Sequence, residues 1–531
     1  PRAAWPIWTN KGIAMTDTQD RPGLRLWPLY IIAGAVVVAL LMIWVPESLN
    51  RQMQVMPTMG TFILATFFTL LWLLFLSRLA WGRRLRYFGA AVLVIGLCMG
   101  SFRIKGMSGD FVPVLEWRWS ERGDADAVKG GGVTAIEARD WPQFLGPQRD
   151  NQLRDIRLER DWAVYPPREV WRRPVGAGWS SFAIVGGRAI TQEQHGPEEQ
   201  VVSYDLATGR KLWSHADSTR YETTLAGVGP RATPTIDGDR VFTLGATGIL
   251  NCLDLSSGSL IWSRDIRADN EAKVPMWGYS GSPLALDDLV VVSAGGSDGR
   301  SLVAYRRQNG EFVWGGGGDR AGYSSPRLDT IAGRKQILIF NEYSVAAHDP
   351  LNGAILWRQP WDHGMVQCVA NPLTLPGDQV LASSGYGAGA ELYQVQAASD
   401  GGLTSEVVWQ SKRLKAKFAN MAYHDGFVYG IDDGIMVCLD PTNGKRRWKR
   451  GRYGHGQLVL VDDILLVLSE KGEVVLVEAN PEAHVELARM TVFDDKTWNP
   501  PALAAPYLLV RTDSEAVCYE LPLADGSLAQ H

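Results

Sequence analysis

Three long apolar runs stand near the N-terminal end of the chain: residues 27–45 (WPLYIIAGAVVVALLMIWV), 58–76 (TMGTFILATFFTLLWLLFL) and the shorter 87–102 (YFGAAVLVIGLCMGSF). The first two carry no charge and reach the roughly 20 residues that a bilayer-spanning helix needs. The third is bounded by Arg86 and Arg103, and following two spans so closely it predicts a third transmembrane helix. From Asp140 onward the pattern changes to short β-branched runs punctuated by Gly, Asp and Asn, with no helical period, as expected of strands and turns.

That second region repeats. A decapeptide with the skeleton apolar–Asp–x–x–small–Gly–x–x–x–Trp recurs as YDLATGRKLW ending at Trp213, LDLSSGSLIW at Trp262, YRRQNGEFVW at Trp314, HDPLNGAILW at Trp357 and LDPTNGKRRW at Trp448, with a weakened copy, SEVVW, ending at Trp409. Taking Trp171 in REVWRRP as the first mark, the steps run from about 39 to about 52 residues, and one more step lands near Met490. Each mark is accompanied by a strand–turn–strand segment, as in ATPTIDGDRVFTLG (232–245) and GSPLALDDLVVVSAG (281–295). Eight β-only repeats of this length match the four-stranded blades of a propeller. The expected fold is therefore an all-β eight-bladed propeller with four-stranded antiparallel blades, preceded by an N-terminal bundle of three transmembrane helices. Because the chain leaves on AVCYEL with no Trp strand after it, the strand around Val170 and Trp171 is expected to complete the last blade, leaving no open sheet edge.

Within the decapeptide the roles follow from turn chemistry. Asp205, Asp254 and Asp440 can accept hydrogen bonds from backbone N–H groups ahead of them, and Gly209, Gly258 and Gly444 can take a positive φ. Trp213, Trp262, Trp314, Trp357, Trp409 and Trp448 then fall on outermost strands, where a flat side chain can wedge against the next blade. This accounts for much of the unusual content of 21 Trp and 56 Gly.

Orientation is read from arginine. The connection after the second run, RLAWGRRLR, holds Arg78, Arg83, Arg84 and Arg86, whereas the connection after the first has Arg51 offset by Glu47. The Arg-rich loop is expected to be cytoplasmic, as are Arg21 and Arg25 ahead of the first span, which puts everything after the third span on the other side, the periplasm of a bacterial cell. The expected organisation is a cytoplasmic segment 1–26, spans at 27–45, 58–76 and 87–102, a linker 103–139 containing a loose GDADAVKGGG run, and a propeller over 140–525. Met15 is a plausible start, with the first fourteen residues reading as upstream sequence.

A net charge of -4 argues against nucleic acid as a partner. The five cysteines are scattered without a CxxC pair, which predicts buried thiols rather than a disulfide framework or zinc site. The GYGAGA run at 385–390 has no following helix to present an N-terminus to phosphate and reads as a strand connection.

The decapeptides resemble the A-x-D-x-x-T-G-x-x-x-W tryptophan-docking repeat of the pyrroloquinoline-quinone-like, quinoprotein dehydrogenase-type propellers. The likeness runs from Trp141 to about Leu521, roughly seven tenths of the chain, and the opening DWPQFLGPQRDN (140–151) is similar to that of membrane-anchored members. In ring size the repeats are also similar to the propeller lipoprotein of outer-membrane assembly, which has a lipidated cysteine where this chain has spans. For the dehydrogenases, the resemblance implies pyrroloquinoline quinone with a calcium held by carboxylates and amides, an Asp base, and insertions over the ring. At about 47 residues per blade there is little room for such insertions, and the sequence shows no D-x-D-x-D or paired-acid pattern.

In a propeller the residues leading into each first strand converge on the axis. Those positions hold Trp179, Arg231, Trp277, Tyr279, Tyr323, Asn371, Asn420, His455, Trp498 and Asn499. Of these, Arg231, Trp277, Tyr323, Asn371, Asn420, His455 and Trp498 are the candidate ligand-binding residues, with Arg231 and the aromatics suited to a planar anion. The same residues could instead pack the axis, and His455 and His363 could be structural. No catalytic or metal-ligating residue is assigned. The expected function is an inner-membrane-anchored binding or scaffold module whose partners are lipid and an envelope protein or peptide. The alternative is a membrane-bound quinoprotein dehydrogenase oxidising an alcohol or sugar and feeding the quinone pool.

Overall fold

A computed structural model describes residues 24–46, 51–119, 139–364, 367–399 and 401–524. Met15, Arg21, Glu47, the GDADAVKGGG run and residue 525 lie outside these described residues. The chain divides into two units: residues 1–103 with 117–119, and residues 104–116 with 120–531.

The first unit contains three helices long and apolar enough to cross a membrane: Trp27–Trp44, Arg51–Leu76 and Trp81–Ser101. The second helix starts ahead of the charge-free run, because Arg51, Gln52 and Gln54 extend it in helical register, and its last turn, Trp72–Leu76, widens to a π-helix. Its hydroxyls turn inward on the helix: Thr58, Thr61, Thr66 and Thr69 each donate to the carbonyl four residues earlier. Each of these four hydroxyl donors is thereby satisfied within the helix, as an apolar surrounding demands. Arg84 donates from Nη1 to the Leu74 carbonyl at 2.8 Å and from Nε to the Leu79 carbonyl at 2.6 Å, satisfying acceptors that a helix C-terminus leaves open.

The second unit contains eight blades, each of four antiparallel strands, with one short parallel strand, Gln152–Leu153, added to the seventh. We number them blades 1 to 8: 183–217, 235–265, 284–316, 327–360, 373–411, 422–452, 457–491 and 502–520, the last completed by Arg168–Pro174. Middle strands are buried except at their ends, while outermost strands such as Lys211–Asp217 hold only exposed and half-buried positions. The entering strand pairs with Glu515–Glu520, Trp171 opposite Cys518, so the ring closes with strands from its two ends.

One irregularity recurs in every blade. Between the third and fourth strands the register slips by one residue, as where Ser203 faces Trp213 but Tyr204 faces Lys211, bulging Leu212. The equivalent slip occurs in the other seven blades. A bulge bends an edge strand and re-aims its side chains, and here it sits immediately before the tryptophan position. In blade 7 the residue at that register, opposite Leu476, is Ala488, whereas Met490 faces Val474. The eighth mark is therefore an alanine, two residues before the position that spacing suggested.

Trp171 shows what the re-aimed ring meets. Its indole N–H donates to the Leu206 carbonyl at 2.7 Å. Its face lies against Gly209, where a Cβ would stand 2.6 Å from the ring and φ is 68°, so glycine is required both by the turn and by the neighbouring blade's tryptophan. The same contact joins Trp213 to Gly258, Trp262 to Gly310, Trp314 to Gly353 and Trp409 to Gly444. Indole hydrogen bonds tie Trp213 to the Leu255 carbonyl, Trp262 to Arg307, Trp409 to Pro441 and Trp448 to Asn480. Trp357 differs, donating to Gln336 within its own blade. The aspartates build the turns: Asp205 accepts from Thr208 N–H and Oγ1–H, Asp254 from Ser256 and Ser257, and Asp440 from Thr442 and Asn443. Those bonds hold Asp254 down to about 2.

Candidate functional site

The first strands of the blades surround a central channel, and a girdle of short side chains joins them. Ser181 N–H donates to Thr233 Oγ1, Thr233 N–H to Ser282 Oγ, Ser282 N–H to Ser325 Oγ, Ser325 N–H to Asn371 Oδ1 and Asn371 N–H to Asn420 Oδ1, at 2.8 to 3.3 Å. Asn499 Nδ2 closes onto the Gly178 and Ser180 carbonyls. Asn371 and Asn420 are buried, with their amide oxygens engaged by the adjacent blade.

Below the girdle, residues 140–153 cross the axis. Trp141 bridges Ile184, the Pro142 carbonyl accepts from Ile236 N–H, and Gln152–Leu153 pairs in parallel with the innermost strand of blade 7. Arg149 inserts its guanidinium among the Pro283 and Ser282 carbonyls at 2.7 and 2.9 Å. Burial, with a contribution from Arg327, pushes its pKa down to about 9. The stretch that sequence reading tied only to a family likeness thus forms the channel floor.

Above the girdle is the mouth, where several candidates meet. Arg231 stacks 4.7 Å above Tyr221 and donates to the carbonyls of Gly229, Ala226 and Gly227; burial lowers its pKa to about 10. Trp277 N–H donates to the Tyr323 hydroxyl at 3.3 Å, and burial raises the Tyr323 pKa. Trp179 donates to the same Ala226 carbonyl as Arg231 and packs 5.1 Å from Trp498, which lies 5.0 Å from Phe418. Phe418 in turn meets the His455 ring at 5.6 Å. The candidates therefore separate into an axial girdle pair, Asn371 and Asn420, and an aromatic and basic rim formed by Arg231, Trp277, Tyr323, His455 and Trp498.

Two lysines and one acid complete the rim, and sequence reading passed over all three. Lys496 Nζ lies 3.9 Å from the Trp498 ring and 4.7 Å from Trp179, while Lys417 Nζ sits among Phe111, Tyr386 and Phe418. Burial brings each ammonium down to about 8. Glu470 accepts from Trp498 Nε1–H and His455 N–H. The signal available in sequence was position: KAKFAN and DKTWNP lead into first strands as the chosen aromatics do.

Within the stretch expected to be a linker, the strands Phe102–Met107 and Pro113–Trp117 form a two-stranded sheet, and the turn between them lies in the mouth. Gly109 N–H donates to Glu470 Oε1 at 2.6 Å, Asp110 Oδ1 is 3.0 Å from His455 Nε2, Lys417 donates to the Gly109 carbonyl and Lys496 to the Met107 carbonyl at 2.8 Å. Lys105 pairs with Asp495 and, at 3.1 Å, with Asp513.

The profile of the family described as outer membrane protein assembly factor BamB matches residues 168–277 and, overlapping them, 197–450. The chain belongs to this family of pyrroloquinoline-quinone-like propellers. Family membership accounts for the decapeptides; the rim and the 104–116 hairpin lie partly or wholly outside the matched span. No curated protein matches the chain. Among solved structures it is similar to quinohemoprotein alcohol dehydrogenase from Comamonas testosteroni, with 13% identity over 72% of this chain and 80% of that one and a TM-score of 0.53. Quinohemoprotein alcohol dehydrogenase ADHIIG from Pseudomonas putida HK5 gives 13% identity, the same coverages and 0.51. BamB from Moraxella catarrhalis gives 15% identity over 67% of this chain and 97% of that one, with a TM-score of 0.49. At these identities the dehydrogenase likeness is one of fold.

Proposed function

We propose that the chain is a non-catalytic envelope propeller, held in the inner membrane by its three helices with the N-terminus cytoplasmic and the ring periplasmic, whose axial mouth binds a segment of an envelope protein. The supporting observation is that the rim's charged groups address main-chain atoms: two lysines reach carbonyls, and Glu470 takes amide protons. Such groups recognise an extended or turned peptide, because every peptide carries those donors and acceptors.

The dehydrogenase reading would need a quinone and a calcium at the axis. Among the described residues no three His, Cys, Asp or Glu side chains stand together as a metal site. The rim's acid, Glu470, is engaged by three N–H donors. The engagement of Glu470 by those donors supports the peptide-binding reading over a calcium–quinone centre.

The test is to incubate the full chain in detergent with calcium and pyrroloquinoline quinone. No stoichiometric binding and no dye reduction with alcohols or sugars is expected; tight binding with turnover would overturn the scaffold reading. Orientation is tested separately, by alkaline phosphatase fusions: one after residue 139 should be active in a bacterial envelope and one within 78–86 inactive.

A further inference from the structure

We propose that the axial mouth is a receptor for an acidic reverse turn, and that the chain's own Gly109–Phe111 tip is its resident competitor, displaced when a partner segment of the same chemistry enters. This rests on the scaffold reading and names its ligand class.

The tip specifies what the mouth accepts. Its turn is closed by Phe111 N–H to the Ser108 carbonyl at 2.9 Å and Ser108 N–H to the Val112 carbonyl at 2.8 Å. Gly109 is pressed against the His455 ring so closely that a Cβ would collide with it. Asp110 then meets His455, and the Phe111 ring, reached through a left-handed φ of 61°, lies 5.7 Å from Lys417 Nζ. A glycine for close approach, an acid for His455 and an aromatic beside a buried ammonium define a Gly-Asp-aromatic turn.

The way the tip is held makes it exchangeable. Ile104, Val112 and Leu115 are 55%, 45% and 59% exposed, so the hairpin buries little apolar surface in reaching the mouth. The contacts that retain it are hydrogen bonds and ion pairs, which a competing peptide or water can replace at small net cost. Lys417 and His455 both face Asp110, so a partner's carboxylate that replaces Asp110 enters the same field of positive partners.

The probe is a fluorescent peptide of residues 105–116, KGMSGDFVPVLE, titrated by anisotropy into the full chain in detergent. A chain carrying Asp110→Ala and Phe111→Ala should bind it at least tenfold more tightly than the wild type, and adding Lys417→Met should reverse that gain. Equal affinity for the two chains, or no binding by an opened chain whose thermal unfolding is unchanged, would overturn the proposal. Should the opened chain fold poorly, amide exchange on the wild type decides: Gly109 and Asp110 should exchange faster at saturating peptide, and unchanged exchange overturns displacement. These outcomes differ from failure of the scaffold reading, which would appear as quinone-dependent turnover.

Discussion

The channel is stopped at both ends, by residues 140–153 below and 104–116 above, and the two stoppers obey different physics. The floor is part of the core: Trp141 is 1% exposed and packs in one cluster with Ile184, Trp171 and Leu503, and Gly146 leaves room for its ring. The mouth hairpin leaves Ile104, Val112 and Leu115 exposed and Met107, Phe111 and Val114 half-buried, and most of its bonds to the ring are polar. A buried apolar anchor cannot leave without exposing its surface at about 25 cal/mol per Å², whereas a polar strap exchanges partners. Occupying an axis therefore does not by itself make a segment permanent.

Five substitutions sharpen or break this contrast, in falling order of expected effect. Trp141→Ala should destabilise the ring by about 3–5 kcal/mol, seen as an earlier denaturant midpoint; a loss under about 1 kcal/mol would put the floor in the same class as the mouth. Trp171→Ala should cost a similar amount and Trp213→Ala roughly half as much, because Trp171 is fully buried and Trp213 only partly. Arg149→Met removes the guanidinium donor from the Ser282 carbonyl and leaves the Pro283 carbonyl with the Thr235 hydroxyl alone, and should cost about 1–3 kcal/mol. Lys417→Met at the mouth, by the same measurement, should stay within about 1 kcal/mol of wild type or exceed it, since removing a desolvated charge offsets the lost bond.

A pH series adds a second kind of evidence, from the mouth end of blade 1. Glu199 is pushed up to about 7 by burial and Asp217, against opposing effects of Ala246 N–H and Arg231. Its native pKa lies above the unfolded value of 4.5, so the native state binds more protons between those limits. The associated stability is present below about 4.5 and is lost as pH rises through about 7. Glu199→Gln should flatten the fall in melting temperature across that window; an unaltered slope would show that this carboxyl does not titrate there.

The ring was legible in the sequence because ring geometry imposes one local solution repeatedly. Every blade must turn and present a flat face to its neighbour, and Asp205, Gly209 and Trp213 are the residue types that do so. The blade 7 position was misplaced because its tryptophan is replaced by Ala488, so spacing alone had to serve, and spacing does not see a bulge. The mouth was partly legible: His455, Trp498 and Arg231 are conspicuous residue types at axial positions. Lys417, Lys496 and Arg149 were not, because nothing local distinguishes a buried cation from a solvated one. Lys417 meets Gly109 across 308 residues of sequence. For Asn371 and Asn420 the sequence shows the axial position but not the partner, because an axial amide offers the same chemistry to a channel and to the next blade's N–H.

The closing strand carries a consequence for biosynthesis. Blade 8 joins Arg168–Pro174 to Glu515–Glu520, and Trp171 docks onto blade 1 only from that position. Until residues 515–520, the third strand of the last blade, have left the ribosome, the early strand 168–174 has no partner and is an unpaired edge exposed to other chains. A contact of such long sequence separation also forms slowly. The newly made ring thus passes through an open, adhesive stage whose length is set by translation of its last blade, and a chaperone that shields 168–174 would act in that interval.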